Sequence, residues 1–486
     1  MLYFELITSH LTQNSSVLGD GRQSFTYKDV DAICGRLETA LRKLGVLPKD
    51  RIFLLAENTV NTVLIILACM RMGVCFVPLP HNIGLSSLTD AVRDAAPTLL
   101  IGEYGLDNVK CITAANMMKL SENEGYTEAE ELTDLTSYII YTSGSTGKAK
   151  GVVATEDNVL FCVKGINKRL CNTASDKILC CLPLSFDYGL YQIFLALDSC
   201  AFLLLPPDNA FHNIPSILIR HHITGFPAIP SMLNMLLKTR FLDRGRFDDL
   251  RYITSTGESF PVEMIKKIMS VLPGTMIIPM YGLTECKRVS VMPLDRTDKV
   301  LNGSCGLPLD GVEVWLENKD DKGVGELIVR GKNVMNGYWN DAETTRKYFF
   351  GDNGDCLRTG DLFRIDEEGF LYFVERNRDI LKVSGYRIGI SELENSLLSV
   401  MGDACDELAV IGCPDEMTGE RCVVCICSSR SRDHIVELLS TVPLSPYQRP
   451  SYLYLSDVRF PRNGNGKLDR SRLKEFVTKN ECIRLR

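Results

Sequence analysis

The sequence predicts an α/β protein: a large N-terminal domain of layered α/β subdomains with a β-rich subdomain, followed by a small, mobile α+β C-terminal domain. Three textures carry that prediction. Apolar bursts alternate with helical patterns along most of the chain, short alternating strands begin near residue 311, and a fresh unit opens after residue 378. The length of 486 residues fits about three domain-sized units.

"RIFLLAE" from Arg51 reads as a strand, "NTVLIILACMRMG" as the helix after it and "VCFVPLP" as the next strand. The same order recurs in "KILCCLPLS", "LYQIFLAL" and "AFLLLPP". Strand, helix and strand in succession predict largely parallel pairing. "GVEVWLEN", "GELIVRG" and "LFRIDEEGFLYFVER" alternate between Gly and charged turns, which predicts the β-rich part. The final unit combines the turn "VSGYRIG", the helix "ISELENSLLSV", the strands "ELAVIGCP" and "CVVCICSS", and a helix from Asp433.

Composition excludes several function classes. The net charge is -7, with Lys and Arg scattered rather than gathered in a stripe, so no nucleic-acid partner is expected. The start "MLYFELITSH" lacks a basic region before an apolar core, and the longest apolar run, "VLIILACM", stops at Arg71. No membrane span and a cytoplasmic location are therefore expected. The 18 cysteines are spread along the chain and read as small reduced hydrophobes. Cys422, Cys425 and Cys427 cluster in an apolar strand without a second CxxC pair, and His221 and His222 are neighbours that an extended chain points to opposite faces. Neither set reads as a metal site.

The chemistry concentrates in "YTSGSTGKAKG", residues 141–151. "TSYIIYTSG" reads as a strand entering a loop and "KGVVAT" as a second strand, whereas a Walker loop opens a helix and places a hydroxyl on magnesium. Thr142, Ser143, Ser145 and Thr146 supply hydroxyls, Gly144 and Gly147 free the backbone, and Lys148 adds a charge. Such a loop can wrap phosphates; taken alone it also reads as a polar hairpin.

Further motifs follow in order: "STGES" at 255–259, "MYGLTE" at 280–285, "GELIVRG" at 325–331, "LRTGDL" at 357–362, "RNRDILKVSGYRIGISELE" from Arg376, and "PRNGNGKLDR" at 461–470. With the loop, this set resembles the adenylate-forming superfamily of acyl-CoA synthetases, nonribosomal peptide synthetase adenylation domains and luciferases, over nearly the whole chain. The resemblance implies ATP and magnesium as cofactors. It implies a first step in which a substrate carboxylate attacks the α-phosphorus of ATP, releasing pyrophosphate and leaving an acyl adenylate. A carboxylate of pKa near about 4 is already ionised at neutral pH, so cations and N–H donors rather than a general base do the catalysis.

By the same resemblance Glu285 is the magnesium ligand, Thr284 lies beside the α-phosphate, Tyr281 stacks on adenine, and Gly257 and Glu258 line the adenine site. Asp361 would bind the ribose hydroxyls, with Arg376 also at the nucleotide, and Lys467 would bridge the carboxylate and the α-phosphate. The resemblance divides the chain into residues 1–377 and a mobile domain 378–486, pivoting at Arg378, where the family has Asp or Lys. Glu375 stands where the family usually has Gly. After rotation Gly385 would line a tunnel for a phosphopantetheine thiol, which attacks the adenylate and forms a thioester. No carrier segment follows Arg470, so the expected acceptor is CoA or a discrete carrier protein; the final unit's lack of a dense Lys/Arg patch favours the carrier.

"LSFDYGLYQIF" at 184–194 resembles the family's substrate-pocket segment. Asp187 stands where amino-acid-activating members bind the substrate amine, although Gly189 replaces the usual Ser. An Asp in a mostly apolar pocket needs a cation, either a substrate ammonium or Arg288. Tyr188, Tyr191, Thr256 and Met280 complete a pocket for a small or medium side chain. The reading is an amino-acid-activating acid–thiol ligase. The alternatives are an AMP-forming acyl-CoA synthetase for a fatty or hydroxy acid, a luciferase-like oxygenase, and a non-catalytic nucleotide-binding protein; intact Lys148, Glu285, Asp361 and Lys467 argue against the last.

Overall fold

The computed structural model describes residues 2–106, 108–130, 132, 135–142, 149–206, 213–239, 242, 245–257, 260–376, 380–383, 386–415, 419–444, 448–463, 468–480 and 482–485. The chain packs as two compact units, residues 1–315 with 328–359 and residues 316–327 with 360–486.

The first unit follows the strand, helix, strand order of the sequence. Arg51–Ala56 and Cys75–Pro80, joined by the helix Val60–Arg71, pair in parallel. Lys177–Leu179 and Phe202–Leu204, joined by the helix Asp187–Asp198, do the same. Both helices are buried around nearly their whole circumference, which suits sequences apolar on every face.

One sheet sets Lys177–Leu179, Gly225–Pro227, Tyr252–Ser255 and Met276–Tyr281 side by side in parallel. Their C-terminal ends therefore share one edge, the edge at which open α/β sheets bind ligands. The chain leaves these ends through Thr256 and Gly257, through "GLTE", and through the segment leading to Asp187. In the other sheet Thr136–Thr142 pairs antiparallel with Lys150–Thr155, Thr142 opposite Lys150. A second strand rather than a helix thus follows the phosphate-loop motif, as the sequence predicts.

In the second unit Asp361 lies opposite Arg376 where Cys356–Ile365 meets Leu371–Arg376. Glu407–Asp415 pairs antiparallel with Gly419–Cys427 in a six-stranded sheet. Leu393, Leu397 and Met401 of the helix Ile390–Met401 pack with Cys422, Val424 and Ile426 on one face; Leu473 and Val477 of the helix Arg470–Lys479 pack with Val423, Cys425 and Cys427 on the other. The period of two therefore sends Cys422 away from Cys425 and Cys427, and all three are buried core thiols. Among the described residues no helix is long and apolar enough to cross a membrane.

Gly189 has a steric reason. A Cβ there would stand 2.2 Å from the Pro183 carbonyl oxygen, so the first turn of Asp187–Asp198 seats against the preceding chain only with glycine. Gly189→Ser should destabilise the first unit by about 1–3 kcal/mol through overpacking, read as a lower urea midpoint. An unchanged midpoint would show that the helix can shift to make room.

Candidate active site

The first turn of Asp187–Asp198 brings Asp187, Tyr188 and Tyr191 to one pocket. Tyr188 Oη and Thr254 Oγ1 are 2.7 Å apart, and the Tyr138 hydroxyl donates to Tyr191 Oη at 3.2 Å. These bonds tie the helix to both sheets of the unit and fix the tyrosine rings.

The cation beside Asp187 is Lys287, a residue the sequence reading passed over in favour of an ammonium or Arg288. Lys287 Nζ lies 3.3 Å from Asp187 Oδ2, donates to the Asp187 carbonyl oxygen at 2.8 Å, and sits 4.0 Å from the Tyr191 ring centroid. Arg288 instead donates from Nη1 to Thr256 Oγ1 at 2.8 Å, with its guanidinium 5.8 Å from the Tyr188 ring. Neighbours on an extended chain would point to opposite sides. Lys287 breaks the alternation with a backbone of φ 35° and ψ -74°, and both side chains are buried.

Two residues hold that kink. A Cβ on Gly282 would stand 2.0 Å from the Lys287 carbonyl oxygen, so only glycine admits the turn. Asn333, itself buried, donates from Nδ2 to the carbonyl oxygens of Cys286 at 3.2 Å and Arg288 at 3.1 Å.

Burial sets the electrostatics. It pulls the Lys287 ammonium down to about 8, with Asp187 opposing and Arg288 adding to the fall. It also lowers Arg288, again against Asp187, and pushes the Tyr188 and Tyr191 hydroxyls up so that they stay protonated. A cavity of about 10 Å³ among Tyr188, Tyr191, Thr254, Met280, Lys287 and Arg288 has room for about one water.

Past the end of the strand Met276–Tyr281, Glu285 sits in the turn Thr284–Cys286. The Tyr338 hydroxyl donates to Glu285 Oε1 at 2.8 Å. Lys150 Nζ lies 5.3 Å from the Tyr338 ring centroid. This lysine was missed from sequence, where Lys148 drew attention; the signal was its place on the strand just past the loop, opposite Thr142. Tyr281 is buried at the end of its strand, and Gly257 takes a φ of 90° that glycine adopts freely.

In the second unit Asp361 is buried and Arg376 Nε approaches its Oδ1 at 3.1 Å. The two residues assigned separately to the nucleotide are thus partners of each other. Ser143, Gly144, Ser145, Thr146, Gly147, Lys148, Glu258, Arg378, Gly385 and Lys467 lie outside the described residues. Among the described residues no group of three His, Cys, Asp or Glu could hold a metal ion. A single half-buried carboxylate oriented by a phenol suits magnesium, which takes one or two protein carboxylates and the rest of its ligands from phosphates and water.

The AMP-binding enzyme family model matches residues 9–339. The chain belongs to the AMP-binding enzyme family. This AMP-binding enzyme is 28% identical over 475 residues to bacitracin synthase 3 of Bacillus licheniformis; the match covers 93% of the chain but spans only 7% of that protein's length. It is 28% identical over 493 residues to the L-proline--[L-prolyl-carrier protein] ligase of Pseudomonas fluorescens, covering 94% of this chain and 95% of that one. Among solved structures it resembles the o-succinylbenzoate CoA synthetase of Bacillus subtilis in complex with its acyl-adenylate intermediate, with a TM-score of 0.86, 26% identity, and coverage of 97% and 98%. These likenesses place the chain in the adenylate-forming superfamily that its motifs resemble.

Lys287 of this AMP-binding enzyme generates a pH prediction. Its folded value near 8 lies below the ordinary 10.5, so between the two the unfolded chain binds more protons and stability rises with pH. Relative to Lys287→Met, the wild-type melting temperature should therefore gain a few degrees as pH rises from about 8 to about 10. A difference that stays constant with pH would show that Lys287 does not titrate in this window.

Proposed function

We propose that this protein is an AMP-forming acid–thiol ligase that adenylates a small amino acid and passes the aminoacyl group to the phosphopantetheine thiol of a discrete carrier protein. What supports it most directly is one strand, Met276–Tyr281, which is followed within a few residues by Glu285, held by Tyr338, and by Lys287, paired with Asp187. A nucleotide and a carboxylate bound there would meet.

In this reading Thr142, residues 143–148 and Lys150 hold the departing β- and γ-phosphates. Thr284 and Glu285 act at the α-phosphate and the magnesium, which neutralises phosphate charge when bound. Tyr281, Gly257 and Glu258 face adenine, and Asp361, braced by Arg376, takes the ribose. The carboxylate forms a bond to the α-phosphorus as the bond to the bridging oxygen breaks, and pyrophosphate carries away the electron pair. Lys467, on a mobile domain of residues 378–486 pivoting at Arg378, bridges the two anions and then withdraws, and Gly385 lines the thiol's path.

Asp187 carries the amine part of the proposal. A carboxylate has about four lone-pair sites, and Lys287 approaches one of its oxygens, so acceptor capacity remains for a second ammonium. The prolyl-carrier ligase, by its name, activates an amino acid for a carrier. An acyl-CoA synthetase acting on an acid without an amine is the second reading, favoured by Lys287 as a counter-ion already present. Pyrophosphate exchange with an amino acid and its deaminated analogue separates the two. Preference for the amine that collapses in Asp187→Ala is expected; wild-type preference for the deaminated acid would defeat the amine part.

Tyr338 tests the nucleotide side. Tyr338→Phe removes the bond that aims Glu285 and should raise the magnesium concentration for half-maximal exchange by about 10- to 100-fold, with little change in melting temperature. An unchanged magnesium requirement would remove Glu285 from the metal.

A further inference from the structure

The pocket behind Asp187 holds more positive charge than negative. Lys287 and Arg288 are 1% and 2% exposed, and among the described residues Asp187 is the one carboxylate paired with either. Two cations against one acid leave a positive charge without a counter-ion among the described residues. Arg288 is also short of acceptors: one terminal nitrogen reaches Thr256 Oγ1, while its buried Nε has no hydrogen-bond partner. A guanidinium offers five N–H donors, and leaving them unmet out of water is costly.

An arginine buried for packing looks different in this same chain. Arg71, also 2% exposed, is matched by Asp31, by Glu38 and by the carbonyl oxygen of Thr127. Among the described residues Arg288 has no such set, yet a strained Lys287, a glycine at 282 and the Asn333 bonds all hold it inward. Arg288 itself lines the small cavity between Tyr188 and Met280.

We infer that Arg288, assisted by Lys287, is the receptor for a second carboxylate on the substrate, so that the acid activated is a short amino dicarboxylic acid. This deepens the ligase reading and rests on it. One carboxylate goes to the α-phosphate; the other lies in the plane of the guanidinium, accepting from Nε and a terminal nitrogen in the two-pronged geometry that Arg and carboxylate share. The chain between them is short because the cavity lined by Tyr188, Tyr191 and Met280 is only about 10 Å³, so even a carboxylate enters only as these side chains give way. A substrate ammonium on Asp187 sharpens the need, since three cations would then face one acid.

The test uses the full wild-type chain with ATP and magnesium and four acids: butyrate, succinate, 2-aminobutyrate and aspartate. Each dicarboxylate should exceed the monocarboxylate of the same amine state in kcat/KM for pyrophosphate exchange by about 10²- to 10⁴-fold, because a site built for a polar group rejects the analogue lacking it. Arg288→Met should reduce that ratio to below about tenfold, and Arg288→Lys should keep part of it. Melting temperatures of the wild type with each acid and AMP supply a readout that needs neither turnover nor a variant; a rise with succinate or aspartate and none with butyrate is expected. Equal treatment of mono- and dicarboxylates, or discrimination that survives in Arg288→Met, overturns the inference and leaves the ligase reading standing. Stabilisation by dicarboxylates without exchange by any acid keeps the anion receptor and removes the ligase reading, whereas neither stabilisation nor exchange removes both.

Discussion

Two cations held out of water beside one carboxylate need support from every side, and the first unit is arranged to give it. Asp187 is placed by a helix whose first turn seats on the Pro183 carbonyl, Tyr191 offers its ring face to the Lys287 ammonium, and Thr256 accepts from Arg288. The kink at Lys287 would relax if its neighbours let it. Gly282 and Asn333 do not, one by close approach of backbone to backbone and the other by two hydrogen bonds to carbonyl oxygens. Removing Asp187 would leave both buried cations without a paired carboxylate among the described residues, so the acid and the two bases act as a unit rather than as separable contacts.

The same strand end separates two kinds of chemistry over a few residues. Glu285 is half-buried and held by Tyr338, whereas Lys287 and Arg288 are enclosed. The first position suits an anion that must meet a hydrated cation and phosphates. The second suits charges whose worth depends on the absence of water, because attraction between charges weakens steeply as the effective dielectric rises. A turn that reverses exposure within two residues supplies both, and the parallel strands beside it aim their C-terminal ends at the same edge.

In the second unit Asp361 and Arg376 face each other across an antiparallel register, which gives the buried acid a cation before any ligand is considered. The orientation of Asp361 is thereby set by the protein itself. That arrangement resembles the role of Tyr338 toward Glu285: the residue expected to touch the nucleotide is held by a partner on another strand or turn.

Much of this was legible in the residues themselves. The strand and helix order, the parallel pairing and the second strand after the phosphate-loop motif follow from apolar periodicity, a local property of the chain, whereas a shared site for Thr256, "YGLTE" and Asp187 was an expectation from the family resemblance. The pairing of Asp187 with Lys287 was not. Those residues lie 100 positions apart, and alternation along an extended segment argues that Lys287 and Arg288 face opposite ways. Only packing shows that a left-handed backbone at Lys287, admitted by Gly282, turns both inward. The partnership of Asp361 with Arg376 and the place of Lys150 beside Tyr338 were hidden for the same reason. Sequence determines which groups are available; which charges share a buried volume is decided by register and backbone conformation, where a displacement of one residue reverses the face a side chain occupies.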